Sequence, residues 1–166
     1  MKTGILFDLD GTLTDSAEGI VNSVVYALER KGVPYASKQD LRRFVGPPLH
    51  DSFRDYCGFS DEQVKETVRI FREYFTEKGI YENSVYDGVK EMLDSLCQAG
   101  RTLAVATSKP ETMSVEILEK FGLAHYFEKI CGATLDGTRV HKADVITYLL
   151  NKVGNMQDIV MVGDTE

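Results

Sequence analysis

Four short apolar runs limit what this chain can become. They occupy residues 3–9, 102–107 ("TLAVAT"), 129–133 ("KICGA") and 158–164 ("DIVMVGD"). Stretches with helical spacing separate the last three: 110–121 and 141–153, with 88–99 before the second run. Strands separated by helices cannot be joined by tight hairpins, so they pair in parallel with the helices packed on the sheet. After the first run comes an almost wholly helical stretch, residues 15–80. The pattern predicts an α/β protein with a parallel sheet, formed by residues 1–14 and 82–166. An α-helical insertion, residues 15–81, follows its first strand.

Local signals place the helices of the insertion. Ile20, Val24, Val25 and Leu28 recur at helical spacing, and Gly32 and Pro34 end that segment. Ser37 can cap a short helix through Phe44, "GPP" at 46–48 makes a rigid elbow, and a further short helix runs through Tyr56. "SDEQ" at 60–63 has the form of a capping box ahead of a helix that carries Val64, Val68, Phe71 and Phe75. In the rest of the chain, Gly100 ends one helix and Pro110 suits the first turn of another.

The first apolar run ends on two acids, Asp8 and Asp10, in "ILFDLDGTLTDS". Side chains two apart in an extended chain share a face, so these carboxylates repel one another and are costly to desolvate. A hard divalent cation held by oxygen relieves that repulsion, and Mg²⁺ is the usual choice where phosphate is also bound. A calcium loop of the EF-hand kind does not fit. Its sixth position would be Leu13 instead of Gly, and its twelfth Gly19 instead of Glu.

In parallel sheets, ligands gather beyond the carboxyl ends of the strands. Thr107 and Ser108 stand there after the second run, Asp164 closes the last, and Lys142 begins the helix between the final two. A metal-bound Asp8 can attack phosphorus directly, as carboxylate nucleophiles do. Asp10 can give a proton to the leaving oxygen and take one from water. Lys142 can neutralise the transferring group, while Thr107 and nearby backbone N–H groups hold its oxygens.

Composition narrows the partners. The formal net charge of -7 argues against a long polyanion such as nucleic acid. No stretch approaches the roughly 20 apolar residues of a membrane span, and the N-terminal run breaks at Asp8, unlike a signal peptide. Cys57, Cys97 and Cys131 are widely spaced with no C-x-x-C pair, which fits reduced thiols and a cytoplasmic protein. A small phosphorylated metabolite is the expected partner; oligomeric state is left open.

"DLDGT" (8–12), "VATS" (105–108), Lys142 and "VGD" (162–164) resemble, in order, the four motifs of the haloacid dehalogenase superfamily. The stretch 15–80 looks like that superfamily's type I cap. "FDLDGTLTDS" and "RRFVGPPLHDSF" (42–53) are most similar to its phosphoglycolate phosphatase-like branch. The resemblance implies a Rossmann-like core with an inserted helical cap. It also implies Asp8 as nucleophile, Asp10 as general acid/base, Lys142 as the motif lysine, and Gly11, Thr107 and Ser108 as phosphate ligands. Mg²⁺ would be held by Asp8, the backbone carbonyl of Asp10, and Asp164. By resemblance, Arg43 and Gly46 of the cap elbow are candidates for the substrate's second anionic group.

Two further features bear on the reaction. The superfamily's last motif normally has a second acid a few positions on, and the chain stops at Glu166 before it, so part of the core is expected to be missing. Dehalogenases lack an acid two residues after the nucleophile, so Asp10 argues for phosphoryl transfer. Mutases of the β-phosphoglucomutase type carry a cap histidine where this chain reads "DSAEGIVNS" (15–23), and an aliphatic residue where Thr12 stands. A Mg²⁺-dependent phosphatase acting on a small monoester is the expectation. A phosphomutase, or a truncated or non-catalytic relative that binds phosphorylated ligands, is the alternative.

Overall fold

The computed structural model describes residues 2–153 and 156–164; Glu166 lies outside them. The chain divides into two compact units, one of residues 1–14 and 85–166, the other of residues 15–84. The second crossing therefore comes at Ser84–Val85, where the sequence suggested residue 81.

The first unit is built on strands β1 (Lys2–Phe7), β4 (Thr102–Pro110), β5 (Lys129–Ala133) and β6 (Met156–Val162). They form one sheet in the order β5-β4-β1-β6, with every described pairing parallel. Helices α4 (Val89–Gln98), α5 (Glu111–Lys120) and α6 (Lys142–Val153) alternate with these strands. The chain steps outward from β1 to β4 to β5, then returns to the other side of β1 for β6. The order reverses at β1, the position where open α/β sheets collect ligands. Leu6, Ala104, Ala106 and Cys131 of the sheet pack with Val145 and Leu149 of α6 in one buried cluster. Small residues on β4 let the helix sit close to the strand.

Two local departures from the predicted strands matter later. Strand β1 stops at Phe7, so Asp8 and Asp10 belong to a turn in which the N–H groups of Thr12, Leu13 and Thr14 all point at the Leu9 carbonyl. Strand β4 runs on to Pro110 through an irregularity. Ala106 pairs with Cys131 and Pro110 with Ala133, so four steps on β4 match two on β5. Residues 107–109 therefore bulge out of the ladder, and bulges re-aim side chains beside functional sites.

The second unit is helical: α1 (Ala17–Arg30), α2 (Leu49–Cys57) and α3 (Asp61–Tyr74), with a single 3₁₀ segment (Asp40–Phe44) and a π-helical turn (Phe75–Gly79). The capping box at Ser60 forms in both directions: Ser60 Oγ accepts from Gln63 N–H, and Gln63 Oε1 accepts from Ser60 N–H. Ser37 Oγ accepts from Asp40 N–H at 3.2 Å, and a 3₁₀ turn that Gln39 precedes stands where a short helix capped by Ser37 was expected. Phe44 and Phe53 meet at 5.0 Å between ring centroids and anchor this unit's core. Strands β2 (Thr14–Asp15) and β3 (Ser84–Val85) pair as a short ribbon. Among the described residues, no helix is long and apolar enough to cross a membrane.

Candidate active site

The carboxyl ends of β1, β4 and β6 and the start of α6 bring Asp8, Asp10, Thr107, Lys142 and Asp164 into the first unit. Asp8 and Asp10 are 2% and 6% exposed, a burial that carboxylates bear only when paired. Each has its own lysine. Lys142 Nζ donates to Asp8 Oδ2, and Lys109 Nζ donates to both Asp10 oxygens, at 3.1 and 2.9 Å. The repulsion posed by the sequence is thus relieved by two ammonium groups, each bound to one acid.

Asp8 is held from several sides. Its main-chain N–H donates to the Val162 carbonyl of β6 at 2.9 Å, and its Oδ1 accepts from Leu9 N–H at 2.8 Å. Burial pushes its carboxyl above the ordinary carboxylate value of 3.8, while Lys142, Leu9 N–H and the Thr107 hydroxyl each pull it down. Thr107 is buried, and its Oγ1 also accepts from Lys109 N–H at 3.2 Å, which shapes the bulge. Ser108 is partly exposed beside it.

Gly11 sits in the same turn with φ +80°, and its N–H is taken by the Thr14 carbonyl at 2.8 Å. Its place is steric as much as polar. A Cβ at Gly11 would fall 2.3 Å from Asp164 Oδ2, so glycine leaves the room in which the Asp164 carboxylate lies.

Arg43 and Gly46 belong to the helical unit. Arg43 stacks over the Tyr56 ring at 4.4 Å and lines a cleft with Phe44 and Cys57. Gly46 turns the elbow at φ +101°. The neighbouring Arg42 lines a different and larger cavity of about 690 Å³, together with Asn22, Lys38, Gln39 and Asn83. Sequence reasoning also passed over Lys109, Glu111 and Arg139. A cation directly after "VATS" was the visible signal for Lys109; nothing local marked the other two.

The profile of the haloacid dehalogenase-like hydrolase family matches residues 5–166. A 5'-nucleotidase of Pseudomonas aeruginosa is 45% identical over 96% of this chain and 73% of its own length. A protein named tyrosine-protein kinase PtkA, from Mycobacterium tuberculosis, is 42% identical over 96% of this chain, which spans 55% of that protein. Phosphoglycolate phosphatases are among further relatives. The crystal structure of a predicted phosphatase from Clostridium acetobutylicum superposes with a TM-score of 0.95 at 46% identity, covering 99% of this chain and 76% of that one. The four motifs, the parallel sheet that presents them and these likenesses agree: the chain belongs to the haloacid dehalogenase-like hydrolase family, among its phosphatases.

Proposed function

We propose that this protein hydrolyses a small phosphate monoester through an aspartyl-phosphate on Asp8, with Mg²⁺ as cofactor. The observation that carries the reading is the buried Asp8 carboxylate, oriented by Leu9 N–H and Thr107 and paired with Lys142. In the first step an Asp8 oxygen bonds to phosphorus, the ester P–O bond breaks, and the Asp10 carboxyl proton passes to the leaving oxygen. In the second, Asp10 takes a proton from water as the water oxygen bonds to phosphorus and the Asp8–phosphorus bond breaks. Lys142 offsets the charge on the transferring group in both steps. Thr107, Ser108 and Gly11 border the phosphate.

The donors fit a hard divalent ion. Asp8 and Asp164 offer carboxylate oxygen, and the glycine at 11 keeps open the space against Asp164. Among the described residues no three or more acidic, His or Cys side chains gather; the family resemblance implies the Asp10 carbonyl as a third protein oxygen. When bound, Mg²⁺ supplies positive charge for the phosphoryl oxygens.

Phosphoglycolate and nucleoside monophosphates are the substrate classes favoured by the relatives' names. The test is phosphate release from a panel of phosphoglycolate, nucleoside monophosphates, a sugar 1-phosphate and pyrophosphate, with and without Mg²⁺. Wild-type turnover should fall about 10⁴-fold in Asp8→Asn. Undiminished release by that variant sinks the aspartyl-phosphate; a sugar 1-phosphate returned as an isomer marks a phosphomutase.

A further inference from the structure

The proposed mechanism assigns work to Asp8, Asp10 and Lys142 but none to Lys109, although Lys109 is 8% exposed and spans both oxygens of Asp10. Burying an ammonium is costly, and a lysine serving only as a surface cation would not be drawn in. Several features of the fold converge on holding it there. The bulge at 107–109 lifts Lys109 out of the β4 ladder, and the Thr107 hydroxyl takes its N–H. Its carbonyl lies over Gly132, where a Cβ would fall 2.4 Å from that oxygen. A clamp then ties the far end of the bulge to β5. Glu111 Oε2 accepts from Gly132 N–H at 3.1 Å and from Arg139 Nη2 at 2.9 Å, while Arg139 Nε donates to the Gly132 carbonyl at 2.9 Å. Arg139 is steadied by the Tyr148 ring at 3.8 Å and stands three residues before Lys142.

We infer that Lys109 is a positioning residue for the acid/base step: it fixes the Asp10 carboxylate by contact with both oxygens. This rests on the phosphatase reading above. With one lysine on each acid, Asp8 and Asp10 hold separate places and separate roles. Lys109 acts through Asp10, so its loss should resemble partial loss of Asp10.

The leaving group provides the test. An alkyl phosphate needs a proton on its departing oxygen, whereas p-nitrophenolate departs unaided. In the full 166-residue chain with Mg²⁺, Lys109→Met should lower kcat for an alkyl monoester about tenfold or more and for p-nitrophenyl phosphate less than about threefold, with KM nearly unchanged for both. In an Asp10→Asn background the same substitution should cost little more, the non-additivity of residues acting as a unit. If Lys109→Met fails to fold, Lys109→Leu carries the same comparison, and Lys109→Gln, which can still donate to Asp10, should restore part of the alkyl-ester kcat. Equal loss on both esters, a rise in KM alone, or full additivity with Asp10→Asn overturns the positioning role. Wild-type silence on both esters removes the phosphatase reading and this inference together, whereas wild-type turnover with equal losses removes only the inference.

Discussion

Gly132 lies against the main chain of Lys109, with room for no side chain: a Cβ there would sit 2.4 Å from the Lys109 carbonyl oxygen and 2.8 Å from Glu111 N. The neighbours are backbone, so they cannot swing aside as a flexible side chain would. Gly132→Ala should therefore push the 107–109 bulge off β5. The expected cost is about 1–3 kcal/mol in urea unfolding, with a fall in kcat from displaced Thr107 and Lys109. An alanine variant with wild-type stability and kcat would show that the bulge adapts.

Asp164 meets the space left by Gly11. Removing its charge should weaken the cation more than the fold, because the residue is exposed. Asp164→Asn should raise the Mg²⁺ concentration for half-maximal activity by about tenfold, a loss of roughly 1.4 kcal/mol in binding. Chelation with EDTA should abolish turnover and added Mg²⁺ restore it. Activity persisting after exhaustive chelation would refute the metal requirement.

Arg42 and Arg43 are adjacent yet differently used. Arg42 lines the cavity with Lys38 and Asn22, whereas Arg43 stacks on Tyr56. Arg42→Ala should leave the urea unfolding midpoint nearly unchanged, as substitutions of exposed side chains usually do. Arg43→Ala should instead lower stability by about 0.5–1 kcal/mol, the worth of an exposed cation–π contact. Equal midpoints for the two variants would show that the Tyr56 contact contributes nothing measurable.

Partial burial pulls the His50 imidazole below its ordinary value of 6.5, and Arg72, Arg54 and Lys65 push it the same way against Asp51. The folded chain then binds fewer protons here than the unfolded chain between that lowered pKa and 6.5. Stability from this group is therefore full above 6.5 and lost as pH falls through that window. Denaturant midpoints measured from about pH 5 to 7.5 should rise with pH, and His50→Gln should flatten the slope. An unchanged slope in the variant would assign it to other groups.

Much of this protein is legible one residue at a time. The sequence by itself determines the alternation of strands and helices, because apolar period and capping chemistry are local: the Ser60 box formed, and "KICGA" is strand β5 over the same five residues. It also determines which acids and which motif lysine reach the strand ends, because the order of motifs along the chain maps onto the ends of a parallel sheet. Strand ends were less legible. β1 stops at Phe7 because Leu9 turns its carbonyl into a shared acceptor, and β4 continues because a bulge lets it rejoin β5 at Pro110. Only the tertiary structure decided that Asp10 belongs to Lys109, 99 positions away, and that Glu111 and Arg139 brace the bulge. It alone showed Gly11 making room for Asp164 and Gly132 for Lys109. Periodicity records which face of an element is apolar. A buried ion pair or a close backbone approach depends on two distant segments meeting, and neither segment alone contains that information.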